Sequence, residues 1–174
     1  MVLQIARAYT PAPIARHQRS STQPTSLLIN NAGALTLERC VDYGHTFSPT
    51  IEMHAQPALL HGEAVNLDMA VTTAIGALRG YVSEDEANRI YRVMVDLGLP
   101  LWDDTLATPE LLIEALIDTV GHRDGQQRLP LPVGIGHHRF VNDVTPEEIQ
   151  CAVAMLRRHH ETLTGSVAAS SGVA

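Results

Sequence analysis

From His61 to about Tyr81 the apolar residues Ala64, Val65, Leu67, Met69, Val71, Ile75 and Leu78 fall on most of the circumference of a helix. A helix apolar nearly all round has no face to give to water, so it must be central and the rest of the chain must wrap it. The neighbouring segments share its period. Ser83 with Glu86 is a capping box opening a helix through about Leu97, closed by Gly98 and Pro100. Thr108, Pro109 and Glu110 open another, with Leu111, Leu112, Ala115, Leu116 and Val120 as its inward stripe. Thr145, Pro146, Glu147 and Glu148 start a last helix reaching about Leu163. From Leu35 to about Met53, Leu37, Val41, Tyr43, Phe47 and Ile51 predict a further helix, which Pro49 should kink or end. The stretch QRLPLPVGIGHHRFVNDV alternates apolar and polar residues around Gly134 and Gly136 and reads as a small hairpin. No strand–helix–strand alternation and no internal repeat is seen. The fold class is therefore mainly α, a bundle of about five helices with one β-hairpin.

Residues 1–35 have Pro11, Pro13 and Pro24, scattered arginines and a Ser/Thr cluster without an apolar period, and read as a poorly ordered leader. An acid-poor, Arg- and Ser-containing start also suits an organelle transit peptide, but these arginines do not share one helical face. Residues 36–163 are the expected helical domain and 164–174 a flexible tail. At 174 residues and 45% apolar, one domain can bury its own core without staples. All twelve cationic residues are arginines, which excludes a lysine Schiff base, a Walker-type phosphate lysine and a lysine general base. A formal charge of −7 argues against nucleic acid or an anionic membrane as partner. Cys40 and Cys151 lack CxxC spacing, which points away from disulfides and thiolate zinc. With no long apolar run and no secretory signal, the expected compartment is the cytoplasm.

Nine histidines exceed what a chain this size needs for packing and direct attention to metal or proton chemistry. His45, in YGHTF, and His61, in LLHGE, lie sixteen residues apart on adjacent predicted helices, where neutral imidazoles can converge on one divalent ion. On spacing alone each is equally a capping or core histidine. Glu52, Glu63 and Asp68 are near enough in sequence to complete or orient such a site, with Glu63 the better candidate behind a ligand and Asp68 the better candidate for a solvated face. Elsewhere the plain readings win. Arg157, Arg158, His159 and His160 read as a solvated cluster near a helix C-terminus rather than a phosphate site. His137 and His138 read as exposed loop residues, Cys151 as core on the apolar side of the last helix, and Trp102 as a loop plug.

The words VDYGHTFSPTIEM and PALLHGEAVNLDMA, continuing through HRDGQQRLPLPVGIG, resemble the metal-binding core of the dehydroquinate synthase superfamily of sugar phosphate cyclases, and within it the 2-epi-5-epi-valiolone synthase branch. The resemblance covers about residues 36–163. It implies that His45 and His61 are two of three protein ligands to a catalytic zinc or cobalt. Dehydroquinate synthases themselves carry an NxGHxxGH word, whose Asn and second His correspond to Asp42 and Pro49. Proline cannot move a proton, so that histidine's chemistry is not available, and the branch carrying Asp and Pro implies sedoheptulose 7-phosphate as substrate. Asp42 and His122, the latter in the HRDG word, become the implied substrate-binding residues. No catalytic residue can be assigned.

In the family, NAD transiently oxidises a ring alcohol, phosphate is eliminated, the ketone is reduced again and an intramolecular aldol closes the carbocycle, as a C7-cyclitol of secondary metabolism. The family's dinucleotide-binding domain, with its glycine-rich turn and the third metal ligand, a Glu, precedes the helical domain. Here no glycine precedes Gly33, and the GIG at 134–136 lacks the context of a dinucleotide turn, so no cofactor-binding residue is assigned and NAD is not expected to bind this chain alone. The expectation is a phosphate-eliminating carbon–oxygen lyase portion, inactive by itself, whose partner is an N-terminal NAD-binding half or a homologous chain, with a homodimer also open. The alternatives are a non-catalytic remnant acting as a helical interaction or metal-binding module, and a 3-dehydroquinate synthase-like lyase.

Overall fold

The computed structural model describes residues 42–122 and 125–170, with side chains to residue 163. The leader, Leu37, Cys40, Val41 and residues 171–174 lie outside the described residues. The elements run α1 (Ser48–His54), α2 (His61–Leu78), α3 (Glu84–Asp96), α4 (Pro109–His122), β1 (Leu129–Pro132), β2 (His138–Val141) and α5 (Pro146–Ser170). Among the described residues this is five helices and a two-stranded antiparallel sheet.

Helix α2 is the axis of the fold. Every residue from Ala64 to Gly76 is buried, and α1, α3, α5 and β1 all pack on it. Full burial of side chains such as Leu67, Met69 and Ile75 contributes roughly 1.5–3 kcal/mol each. The hairpin closes one flank, with Leu129 opposite Val141 and Pro132 opposite His138, and it buries Leu129 and Leu131 completely. Helix α3 begins with the expected box: the Glu86 N–H donates to Ser83 Oγ, and the Ser83 N–H donates to Glu86 Oε2.

Three expectations are corrected. Pro49 stands in the first turn of α1 and opens the helix instead of ending it, because a first-turn residue has no N–H bond to lose and proline's φ is already helical. Cys151 is exposed: the inward stripe of α5 is Ile149, Ala152, Val153 and Leu156, and a position two residues from Ile149 points about 200° away. Helix α5 continues past Leu163 to Ser170, through Gly165. Trp102 is half-buried against the core as expected, and its Nε1–H donates to Asp104 Oδ1 at 2.8 Å.

Candidate metal centre

The His45 side chain leaves a tight turn just before α1. The His45 N–H donates to the Asp42 carbonyl at 3.0 Å, and Gly44 makes the turn at φ +83°. Tyr43 anchors the same turn to α2: its hydroxyl lies 2.8 Å from Thr73 Oγ1 and 3.3 Å from the Met69 carbonyl. Burial pushes that phenol up to about 12, so it serves as a neutral hydrogen-bonding post.

His61 is the first residue of α2, and its ring faces that of His45 with centroids 5.5 Å apart and planes tilted by 54°. Two imidazoles on one tetrahedral ion with Zn–N near 2.0–2.1 Å would have centroids roughly 5 Å apart, so the pair fits a shared divalent ion. The chemistry of the His61 ring also fits. Its Nδ1 is 2.9 Å from Glu52 Oε2, and a carboxylate only accepts, so Nδ1 is the donor and in the neutral ring Nε2 carries the lone pair. Among the described residues no group of three or more His, Cys, Asp or Glu is arranged to hold a metal.

The orienting carboxylate is thus Glu52, on α1. Glu63 instead accepts the Leu60 N–H at 2.8 Å and caps the start of α2, a helix-start role. Asp68 is the larger correction. It is wholly buried, and its Oδ2 accepts the N–H groups of Thr46, Phe47 and Ser48 within 2.9 Å. Burial pushes its carboxyl up to about 6, against the downward pull of those three donors. A lone acid reads as solvated by default, and backbone donors from another element leave no trace in sequence, so the burial of Asp68 shows only in the fold.

A cleft of about 250 Å³ opens beside the pair, lined by His45, Pro49, Thr50, Met53, Asp118, Thr119 and His122. It brings His122, at the C-terminal end of α4, to the same opening as His45. Asp42 is half-buried beside the turn; the contact seen for it is its carbonyl on His45, and it does not line the cleft. The larger cleft, about 480 Å³, lies elsewhere, between α2, α3 and α5, and includes Arg158 and His159. Its chemistry is structural: the His159 ring packs 5.2 Å from Tyr91, burial lowers its affinity for a proton, and Arg157 pairs with Glu161 along exposed helix. His137 and His138 are exposed, His138 within β2.

A family model described as 3-dehydroquinate synthase C-terminal matches residues 25–120. The 2-epi-5-epi-valiolone synthase of Actinoplanes sp. is 63% identical over 122 residues, covering 70% of this chain and 30% of that protein. That of Streptomyces albus is 56% identical over 136 residues, covering 78% and 33%. The solved structure of ValA, a 2-epi-5-epi-valiolone synthase from Streptomyces hygroscopicus subsp. jinggangensis with NAD+ and Zn2+ bound, superposes with a TM-score of 0.68 at 50% identity, over 71% of this chain and 34% of that one. The chain spans about a third of the length of these relatives.

Proposed function

The chain belongs to the 3-dehydroquinate synthase C-terminal family, and from that membership we propose that it is the metal-binding helical portion of a 2-epi-5-epi-valiolone synthase-like sugar phosphate cyclase. The observation that carries the reading is the pair of facing imidazoles, His45 and His61, one of them fixed by Glu52. The unit proposed for this work is residues 36–163, with the cytoplasm as its proposed compartment. Among the described residues no helix is long and apolar enough to cross a membrane.

In the proposed reaction, elimination of phosphate from sedoheptulose 7-phosphate and closure of the ring, the residues divide the labour as follows. His45 and His61 would hold zinc or cobalt through ring nitrogens. A divalent ion held there would supply Lewis acidity to a ring alcohol and its ketone. Glu52 keeps the His61 ring in the tautomer that can ligate. His122 and Asp118 offer polar contacts to sugar hydroxyls across the 250 Å³ cleft, and Asp42 holds the turn that presents His45. Pro49, at the opening of that cleft, offers no proton there, which favours the heptulose reading over a 3-dehydroquinate synthase-like one. The NAD-binding portion is supplied by a segment not contained in these residues, whether from a partner polypeptide or another part of a longer protein.

The second reading, a non-catalytic module that still binds metal, is supported by the two-ligand character of the site. Titration of Zn2+ or Co2+ into the wild-type chain, His45→Ala and His61→Ala tests the shared premise. Wild type should take up about one ion, readily removed by chelators, and each variant should lose it. Equal uptake by all three would discard the metal assignment.

A further inference from the structure

His61 and Asp68 stand on the same helix, seven residues apart, which is nearly two turns and returns to almost the same face about 10.5 Å along the axis. One rigid element therefore carries one imidazole of the pair and, further along, the carboxylate that grips the segment bearing the other. The grip falls immediately after His45: Asp68 Oδ2 accepts the Thr46 N–H at 2.7 Å and then those of Phe47 and Ser48. From the opposite side, Thr119 of α4 donates its hydroxyl to the Thr46 carbonyl at 2.6 Å. Both backbone polar groups of the residue following His45 are thus held by side chains from two different helices. These hydrogen bonds are made to the backbone of Thr46, Phe47 and Ser48, and through that backbone they bear on the His45 ring.

We infer that Asp68 and Thr119 are positioning residues for the His45 ligand, fixing from α2 and α4 the spacing between its ring and that of His61. The inference rests on the reading of His45 and His61 as ligands. Residues behind a metal ligand, when removed, weaken binding by about 10–100-fold while leaving the ligands themselves in place. A residue that only supports the fold would lower stability without changing the ion's surroundings.

The test uses the 174-residue chain and Co2+ as the probe, reading both the dissociation constant and the visible d–d spectrum of the bound ion, with far-UV circular dichroism to report folding. Asp68→Asn and Thr119→Val should each weaken Co2+ binding about 10–100-fold and alter the spectrum. Thr119→Ser, which restores the hydroxyl, should bind as wild type does. Ser83→Ala, which removes the cap of α3 far from the pair, should lower the melting temperature and leave affinity and spectrum unchanged. If Asp68→Asn does not fold, Thr119→Val against Thr119→Ser decides. Should Co2+ binding depend on His45 while Asp68→Asn and Thr119→Val match wild type in both readouts, the positioning role is overturned and the ligand reading stands. Should His45→Ala bind Co2+ as tightly as wild type, the ligand reading falls and this inference with it.

Discussion

At Gly44 the backbone sits at φ +83°, and a Cβ built there would stand 2.8 Å from both Met69 Cγ and Val65 Cγ1 of α2. The turn that presents His45 can therefore press against the central helix only because this residue has no side chain. Gly44→Ala combines left-handed strain with overpacking, and the expected loss is about 2–4 kcal/mol in urea denaturation. An unchanged midpoint would mean that the turn is free to move off α2. At this scale the sequence was legible where a residue's role is written in its own neighbourhood. The words around His45 and His61 pointed to the pair that the fold brings together. Asp68 was not legible in the same way, because its partners come from a segment that only the tertiary fold brings near, and an acid bonded to backbone N–H groups looks in sequence like one bonded to water; Glu52 was one of three acids near enough to orient the pair, and only the fold singles it out.

Among the elements, α2 and α5 are fastened end to end by Arg79. Its guanidinium donates to both carboxylate oxygens of Glu148 at 2.7 Å and to Asp143 Oδ1 at 2.7 Å, while Glu148 also accepts the Thr145 N–H at the start of α5. The hydrogen bonds from Arg79 hold the Glu148 carboxyl below its ordinary range. A carboxylate with a lowered folded pKa contributes stability that is present above the unfolded value, near 4.3, and is lost as pH falls through the folded value. Arg79→Met should cost about 2 kcal/mol at pH 7 and should lose less further stability than wild type between pH 7 and pH 3, measured by denaturant unfolding at each pH. Parallel pH curves for the two proteins would remove the clamp from the account. The helices themselves were readable from sequence because period and caps are local signals, as Ser83 with Glu86 shows. Pro49 reads as an end and is a start, since proline is compatible with both until its neighbours decide.

For the molecule as a whole, the cleft beside His45 carries one exposed apolar side chain, Met53 at 73%, and outside the cleft, on the same helix as His122, Ile117 is 66% exposed. The proposed cyclase reaction needs nicotinamide, metal and substrate within about 3–3.5 Å contacts, and these residues provide one side of that arrangement. The expected outcome is therefore phosphate release from sedoheptulose 7-phosphate only when the chain is mixed with a separately expressed dinucleotide-binding portion of a related cyclase, NAD and Zn2+ or Co2+. Phosphate release by the chain without that portion would overturn the division of labour proposed for it. The hairpin bears on assembly in another way. Val133 turns its N–H toward β2, to the His137 carbonyl, and by alternation Leu129 and Leu131 turn theirs the same way, which leaves the peptide nitrogens of Pro130 and Pro132 on the border away from β2. Proline has no N–H, so that border carries no donor at either position, and all four residues of β1 are buried. On the other border β2 is four residues long and carries exposed His138 and Arg139, a short basic strand that is a poor seed for intermolecular pairing. Among the described residues, then, the sheet is built to stop at two.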